Sequence, residues 1–479
     1  LKRELEGKRL LGVSRHAIER VYGLSFLYKY LGDETYARRV EKELLAIADF
    51  QDWNPSHFLD VAEMSVAVAI GCDSCGEVFE AANREKILSA LKTKGLDECF
   101  KSKHWWQNTA NWNQVCWCGT LFAGLTLAES APDAAKEAIW RAVNGVTWSM
   151  SSYEPDGNYT EGPGYWGYGT SFNIMLIEAL NSALGQDFGR SDANGLLRSI
   201  QYYEHVFGTT GLAFNYPDSG GGMMFEPTAF WYAHKLGAPN VAFNEIALLE
   251  GGRGPSSLVG HRLAVFALTR APESVVVNKD AAALDPTASL GYIGIGNQKC
   301  CVALFRTAWE KNAAYLGIKA GAPNAPHGHM DEGGFVYDDL GARWIVELGP
   351  EDYNVIEQRG MNLWSAAQNS DRWKLFRYNN FSHSVPTFND NLQLAGGLTK
   401  FLETKIAAPG EDSFAKIDLT PVYANDVKSA IRLATLKADG TLVIEDVFEA
   451  LDDKGAEVQR RFLTGAKAEI VSDSCVELT

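Results

Sequence analysis

The chain contains no run of eighteen apolar residues, so no segment reads as a membrane-spanning helix. It carries no P-loop, no G-x-S-x-G nucleophile turn and no EF-hand loop, which removes three common routes to phosphate, serine and calcium chemistry. Positive charge is also short. The 44 Lys and Arg face 60 Asp and Glu, and a net charge of −16 argues against nucleic acid or an anionic membrane as the main partner. The eight cysteines build no obvious framework. Cys72-x-x-Cys75 lacks a second pair at zinc-ribbon spacing, and Cys300 and Cys301 are adjacent and ill-placed to bridge, so buried free thiols are expected. Leu1-Lys2-Arg3-Glu4 opens directly into charge, without the apolar core of a leader.

What is present is ordinary globular material: 46% hydrophobic and 22% charged residues over 479 positions, enough for several domains. Apolar residues recur at three- and four-residue spacing over 16–31, 34–50, 56–70, 75–91, 114–128 and 134–150, and again over 172–184, 195–207, 226–235, 242–249 and 260–268. Brief Gly, Pro, Asn and Asp segments separate them, which suggests antiparallel helical hairpins in a bundle, a solenoid or a closed α/α toroid. From about residue 287 the period becomes two. Strands are expected at 292–296, 301–305, 313–318, 334–337 and 343–347, then at 384–388, 401–408, 413–418, 429–436, 441–450 and 459–463. Helices first and strands second predicts two domains, 1–275 helical and 285–479 an antiparallel sandwich, rather than an alternating α/β fold. Strand signals continue to Thr479, so a longer parent chain is expected.

Two aromatic segments stand out in the helical half: Trp105-Trp106-Gln107-Asn108-Thr109-Ala110-Asn111-Trp112-Asn113, and Tyr153 through Gly169 with Asp156-Gly157-Asn158-Tyr159-Thr160-Glu161-Gly162-Pro163 at its centre. Aromatic faces suit sugar rings and amides suit hydroxyls and carboxylates. Glycines among aromatics suit close approach by a ligand. Equally, Asn111 or Asn113 could cap a helix beginning near Gln114, and the tryptophans could be core. In the strand half, His327-Gly328-His329 would put two imidazoles on one face of an extended segment. A hairpin could bring Glu347 beside His329, with His383 entering from a third segment. Two imidazoles and a carboxylate suit zinc, although histidines in a sheet are also commonly satisfied by backbone. A basic cleft for an anionic ligand would draw on Lys319, Arg343, Arg359, Arg372, Lys374 and Arg377.

Together these segments resemble the heparinase II/III-like polysaccharide lyases, including related alginate lyases. The resemblance covers nearly the whole chain. It rests on Asn111-Trp112-Asn113, on Asp156 to Pro163 followed by Tyr165 and Tyr168, on His327-Gly328-His329-Met330-Asp331 with Glu347-Leu348-Gly349, and on Arg377 through His383-Ser384-Val385. It implies an incomplete α/α toroid followed by an antiparallel β-sandwich, with the active site between them. It implies a periplasmic or secreted enzyme, its signal segment removed, that cleaves an acidic polysaccharide by β-elimination. Asn111 matches the amide that neutralises the substrate carboxylate. Tyr168 matches the catalytic tyrosine, with Tyr165 as the alternative, and His327 matches a histidine assisting proton abstraction. His329, Glu347 and His383 match the ligands of a structural zinc. Trp105, Trp106, Trp112, Asn113, Glu161, Trp166 and Arg377 are the expected substrate contacts. Two positions depart from the pattern: Glu347 stands where Asp is usual, and Trp112 where some members have His.

β-Elimination removes the C5 proton of a uronate and expels the C4 oxygen. A donor on the carboxylate stabilises the developing negative charge by about 3–4 kcal/mol, as oxyanion-hole donors do. The rivals are a glycoside hydrolase on a toroid, using carboxyls such as Asp156, Glu161 or Asp218, and a carbohydrate-binding protein without turnover.

Overall fold

Three helices, Phe58–Cys75, Asn111–Thr126 and Pro163–Leu184, are apolar on nearly every side, and a helix of that kind must be surrounded. They pack in succession, Asn111–Thr126 lying against both others. Outside them run Leu11–Leu31, Glu34–Ala48 and Pro132–Gly145. Of these, Glu34–Ala48 and Pro132–Gly145 each turn one apolar face inward and one charged face to water. From Glu34–Ala48 to Pro163–Leu184 the chain passes between outer and inner helices, which is the hairpin arrangement of an α/α toroid left incomplete. The protein is described by a computed structural model that covers residues 1–222, 225–250, 261–270 and 286–479. Among the described residues, no helix is long and apolar enough to cross a membrane. All eight cysteines are free, and seven are buried, as expected.

Helix starts differ from the sequence reading in two places that matter. Asn111 and Asn113 are not caps: Ala110 precedes the helix Asn111–Thr126, no side chain caps it, and both asparagines lie buried in its first turn. The helix Pro163–Leu184 begins nine residues before the expected 172, with Pro163 in its first turn, where its missing N–H costs nothing. Gly164, Gly167 and Gly169 lower helix propensity and disguised this start. Their smallness serves packing: a Cβ at Gly169 would lie 2.0 Å from Gln114 Oε1, and one at Gly167 2.6 Å from Glu226 Oε2.

The strand half opens with a five-stranded antiparallel sheet, β1 (Gly291–Gly294), β2 (Cys300–Arg306), β3 (Tyr315–Gly321), β4 (Phe335–Asp339) and β5 (Ala342–Ile345), in sequence order. After β6 (Pro386–Phe388) comes a four-stranded antiparallel sheet of β7 (Lys400–Lys405), β8 (Ser413–Asp418), β9 (Val427–Leu436) and β10 (Leu442–Ala450). β11 (Val458–Arg460) pairs with β6, and β12 (Ala468–Ser472) with β13 (Cys475–Leu478), a hairpin within the strand signals expected to run to Thr479. β2 explains how the halves join. Cys301, Ala303 and Phe305 face the sandwich core with Ile417, Ala430 and Ala434, while Cys300, Val302 and Leu304 belong to the helical core. A strand buried on both faces reads as a continuous apolar run.

The expected domain boundary, between 275 and 285, lies outside the described residues; elements on either side are the helix Ala264–Arg270 and β1. Between β5 and β6 a strap of some forty residues leaves the sandwich. It includes an unexpected helix, Tyr353–Gln358, which returns to the helical half: Arg9 grips Glu357 at 3.0 Å and Asn354 at 2.8 Å.

Gly119 sets the spacing of the inner ring, since a Cβ there would lie 2.5 Å from the Ala62 carbonyl oxygen. Gly119→Ala is expected to destabilise the protein by about 1–3 kcal/mol as an overpacking change, measured by denaturant unfolding. An unchanged midpoint would refute this account of the helix contact.

Candidate active site

Asp218 lies in the loop after the helix Ser199–Val206 and is wholly shielded from solvent at its carboxylate. A buried carboxylate persists only if its lone pairs are filled. The strand half fills them. His329 Nε2 stands 2.8 Å from Oδ1, while His327 Nδ1 at 3.1 Å, the Tyr353 hydroxyl at 2.8 Å and Arg372 Nη2 at 3.2 Å converge on Oδ2. Burial alone would raise the Asp218 pKa. The two histidines and Arg372 outweigh it and hold the group well below the usual carboxylate range.

His327 carries the second half of the cluster. Its Nε2 stands 3.4 Å from Glu161 Oε1, opposite the Asp218 contact at Nδ1. An imidazole with a carboxylate at each nitrogen donates to both only as the cation. Burial pushes its pKa down, but the bonds to Asp218 and Glu161 prevail, and it is raised to about 9. The backbone of His327 is left-handed at φ 60, so the predicted extended strand through 327–329 does not form. Nevertheless both histidines reach Asp218. Tyr165 stacks on the His327 ring with centroids 4.2 Å apart, and its hydroxyl lies 3.1 Å from that of Tyr353. Burial raises the Tyr165 pKa above its ordinary value, so its phenol is neutral in the free protein.

Asn111 completes the line. Its backbone N–H donates to Glu161 Oε2 at 2.7 Å, and its amide nitrogen lies 3.0 and 3.1 Å from the two Glu161 oxygens. Its Oδ1 is buried without a partner. Glu161 is therefore the hinge between Asn111 and His327.

Tyr168 stands apart. One helical turn beyond Tyr165, it donates to Glu63 Oε1 at 2.7 Å and does not touch His327. Of the two tyrosines the resemblance offered, Tyr165 is the one brought to the histidine.

His329, Glu347 and His383 form, among the described residues, the one group of this kind whose ligand atoms all lie within 4.8 Å of one another. Glu347, longer than the usual Asp, reaches to 2.9 Å from His383 Nδ1. His329 Nδ1 and His383 Nε2 are buried with no hydrogen-bond partner. Orphaned imidazole nitrogens beside a carboxylate fit a zinc donor set. Asp218, on the other nitrogen of His329, fixes that ring as an outer partner would.

The remaining expected substrate contacts are mostly structural. Trp105 and Trp166 are fully buried; Trp105 packs on Phe58 and Trp117, and Trp166 stacks on Tyr203 at 4.1 Å, leaving neither ring a face for a sugar. Asn113 is buried too, donating to the Trp106 carbonyl at 2.8 Å and accepting from Ser149. Trp106 packs on the same core beneath Arg141, and Trp112 lies against His57 and His104. Arg377 holds the Leu348 carbonyl and pairs with Glu351 at 3.1 Å. The expected basic cleft also dissolves into internal pairs: Lys319 with Asp331 and Glu332, Arg343 with Asp338, Lys374 with Asp371, Arg372 with Asp218. Arg359 is exposed beyond the strap helix. Of the groups that meet here, Tyr353 carried no signal in the sequence, Arg372 was expected only as part of a basic cleft, and Asp218, in a Gly-rich segment, only as a hydrolase carboxyl.

A cavity of about 400 Å³ opens on this cluster, lined by Tyr165, Tyr168, Asp218 and Ser219 and also by Arg15 and Arg262. Its size falls within the range of about 300–1,000 Å³ typical of small-ligand sites.

No protein-family model and no curated protein sequence matches the chain. Solved structures do. A mutant of the heparan sulfate lyase HepC from Pedobacter heparinus is similar with a TM-score of 0.56 at 13% identity, covering 94% of this chain and 64% of that one. HepC itself gives 0.54 at 16%, covering 92% and 62%. A heparinase III structure gives 0.61 at 10%, covering 96% and 66%. The chain thus spans 62–66% of the length of these structures. At such identities the likeness is one of fold, the toroid followed by the sandwich.

Asp218→Asn removes one charge from a buried network and leaves Arg372 and two histidines facing a neutral amide. The expected loss is about 3–5 kcal/mol, that of a broken buried ion pair, read by denaturant unfolding. A loss below 1 kcal/mol would show that Asp218 is not the link between the halves.

Proposed function

We propose that the chain is a polysaccharide lyase that cleaves a uronate-containing polymer by β-elimination. The observation that carries this reading is the Tyr165–His327 stack at the junction of toroid and sandwich, with His327 held as a cation between Glu161 and Asp218. The fold shared with heparan sulfate lyases supports it. In this reading the uronate carboxylate enters beside His327, whose positive charge offsets the charge that builds as the C5 proton leaves, while Asn111 holds Glu161 in place against that imidazole. Tyr165, as phenolate, takes that proton on its oxygen. The C–H electron pair becomes the C4–C5 double bond, the C4–O bond breaks, and the phenol returns the proton to the departing oxygen. No water is consumed. The imidazolium against the ring favours the phenolate, while burial and the nearby carboxylates of Asp218 and Glu161 oppose it.

The hydrolase alternative requires one carboxyl free to donate a proton and another free to activate water or attack. Glu161 and Asp218 are the carboxylates of the cluster, and both have their oxygens engaged by Asn111, His327, His329, Tyr353 and Arg372. Neither is free for that chemistry.

We further propose that His329, Glu347 and His383 hold a zinc ion. The orphaned ring nitrogens support this. The ion would supply a cross-link between β5 and the segment before β6, and no step of the elimination is assigned to it.

The test follows ultraviolet absorbance of the unsaturated product with a panel of uronate polymers. Tyr165→Phe should lower kcat by about 10²–10⁴, the usual worth of a positioned proton-transfer group. Tyr168→Phe should lower it much less. Equal losses would reassign the tyrosine, and no absorbance change from folded, zinc-loaded protein on any polymer would favour a binding protein instead. Chelation should lower the unfolding temperature and added zinc restore it, since a ligand at 1,000 times its Kd stabilises by about 4 kcal/mol. A melting curve indifferent to chelator and zinc, with no metal in elemental analysis, would remove the zinc.

A further inference from the structure

The lyase reading leaves part of the cavity wall unused. There Arg15, from the first helix Leu11–Leu31, and Arg262, just before the helix Ala264–Arg270, lie on the ring of Tyr168 with guanidinium carbons 5.0 and 5.3 Å from its centroid. Both also meet the fully buried carboxylate of Glu63, Arg15 Nε at 3.2 Å and Arg262 Nε at 3.0 Å, while Tyr168 donates to the same group. Against Glu63 alone, the two guanidiniums leave one positive charge over. Arg15 remains 40% exposed at its side chain, so that charge is reachable. Glu226 and His261 share the wall. Glu226 is bound by the Ser171 and Thr228 hydroxyls, and burial raises its pKa; His261 is neutral near pH 7, its pKa lowered to about 4 by burial and by Arg262.

Tyr165 and Tyr168 are three residues apart on one helix face, about 5–6 Å between Cβ atoms, close to the width of one sugar ring. We propose that Arg15 and Arg262 form an anion subsite that takes the carboxylate or sulfate of the sugar adjacent to the one opened at Tyr165. The subsite presupposes the lyase reading only for its orientation, since the anion contact is a matter of binding. Guanidiniums suit it because their planar N–H forks match the oxygens of both groups. It also answers the chain's net charge of −16: a polyanion is met by a local pair in a concave wall, while distant carboxylates are screened over about 8–10 Å.

The experiment compares wild type, Arg15→Gln and Arg262→Gln on an unsulfated uronate–hexosamine polymer and on its N-sulfated counterpart, with KM and kcat from ultraviolet absorbance. Calorimetric titration with size-defined oligosaccharides of both kinds runs in parallel. Each single variant leaves a guanidinium on Glu63, and Arg15→Gln combined with Glu63→Gln removes a matched pair should a single variant melt early. The expected result is a KM raised about tenfold or more, the worth of a lost charge-assisted hydrogen bond, with kcat within about twofold of wild type. A rise on both polymers identifies the carboxylate as the anion, and a rise confined to the sulfated polymer identifies sulfate. An unchanged KM on both, or a fall in kcat alone, overturns the subsite. If wild type turns over neither polymer, the lyase reading fails and the titration decides: weaker binding by Arg262→Gln upholds the subsite, and equal binding overturns it.

Discussion

A single buried carboxylate, that of Asp218, ties the two halves of the molecule at the point where chemistry is proposed. It comes from the helical half, yet His327, His329, Tyr353 and Arg372, all from the strand half, satisfy it. Ions taken out of water are tolerable only when their partners are fixed in good geometry. The relative placement of toroid and sandwich is therefore coupled to the placement of two imidazoles. His329 is oriented with its free nitrogen toward Glu347 and His383, and His327 is set between two acids with Tyr165 on its face. The proposed metal donor set and the proposed proton-transfer pair share one anchor.

The strap between β5 and β6 depends on that anchor as well. It supplies Tyr353 and Arg372 to Asp218, and its helix is clasped from the other side by Arg9. A segment that long, with only short helical turns of its own, is costly to order. The ion pairs at its two contacts, with Glu357 and with Asp218, supply enthalpy where a small apolar cluster of Met330, Ile356, Leu363 and Trp373 supplies the rest.

The order of helices then strands was legible because burial writes its period into sequence. Outer helices such as Glu34–Ala48 and half-exposed strands such as Ser413–Asp418 were placed to within about two residues. The errors have physical causes. Gly164, Gly167 and Gly169 resembled a ligand-binding loop because sequence records that space is short but not what fills it; Gln114 and Glu226 fill it. Trp105 and Trp166 resembled sugar platforms because a tryptophan suits a sugar and a core equally well, and only burial separates the two uses. Asp218 and Tyr353 lie more than a hundred residues apart in sequence, so nothing local could announce their contact. The histidine, glutamate and histidine of the proposed zinc set were legible from type and order, yet the route by which they meet is a left-handed turn at His327 and not the strand that spacing suggested.

An acidic protein proposed to act on an acidic polymer presents an electrostatic conflict that its fold can resolve only locally. Most of the basic residues that might have lined a cleft are consumed by internal partners, Lys319 and Arg343 among them. What remains is a cation on each of the two tyrosines: His327 against the ring of Tyr165, and the Arg15–Arg262 pair on that of Tyr168. Each is held by a buried acid that fixes its direction, Glu161 and Asp218 for the first and Glu63 for the second. Such pairing lowers the net charge but lets the donors be positioned before the ligand arrives, and preorganised donors contribute more to recognition and to transition-state stabilisation than mobile ones of larger charge. In this site the acids position the bases, and the direction of each cation matters more than the sum of charges around it.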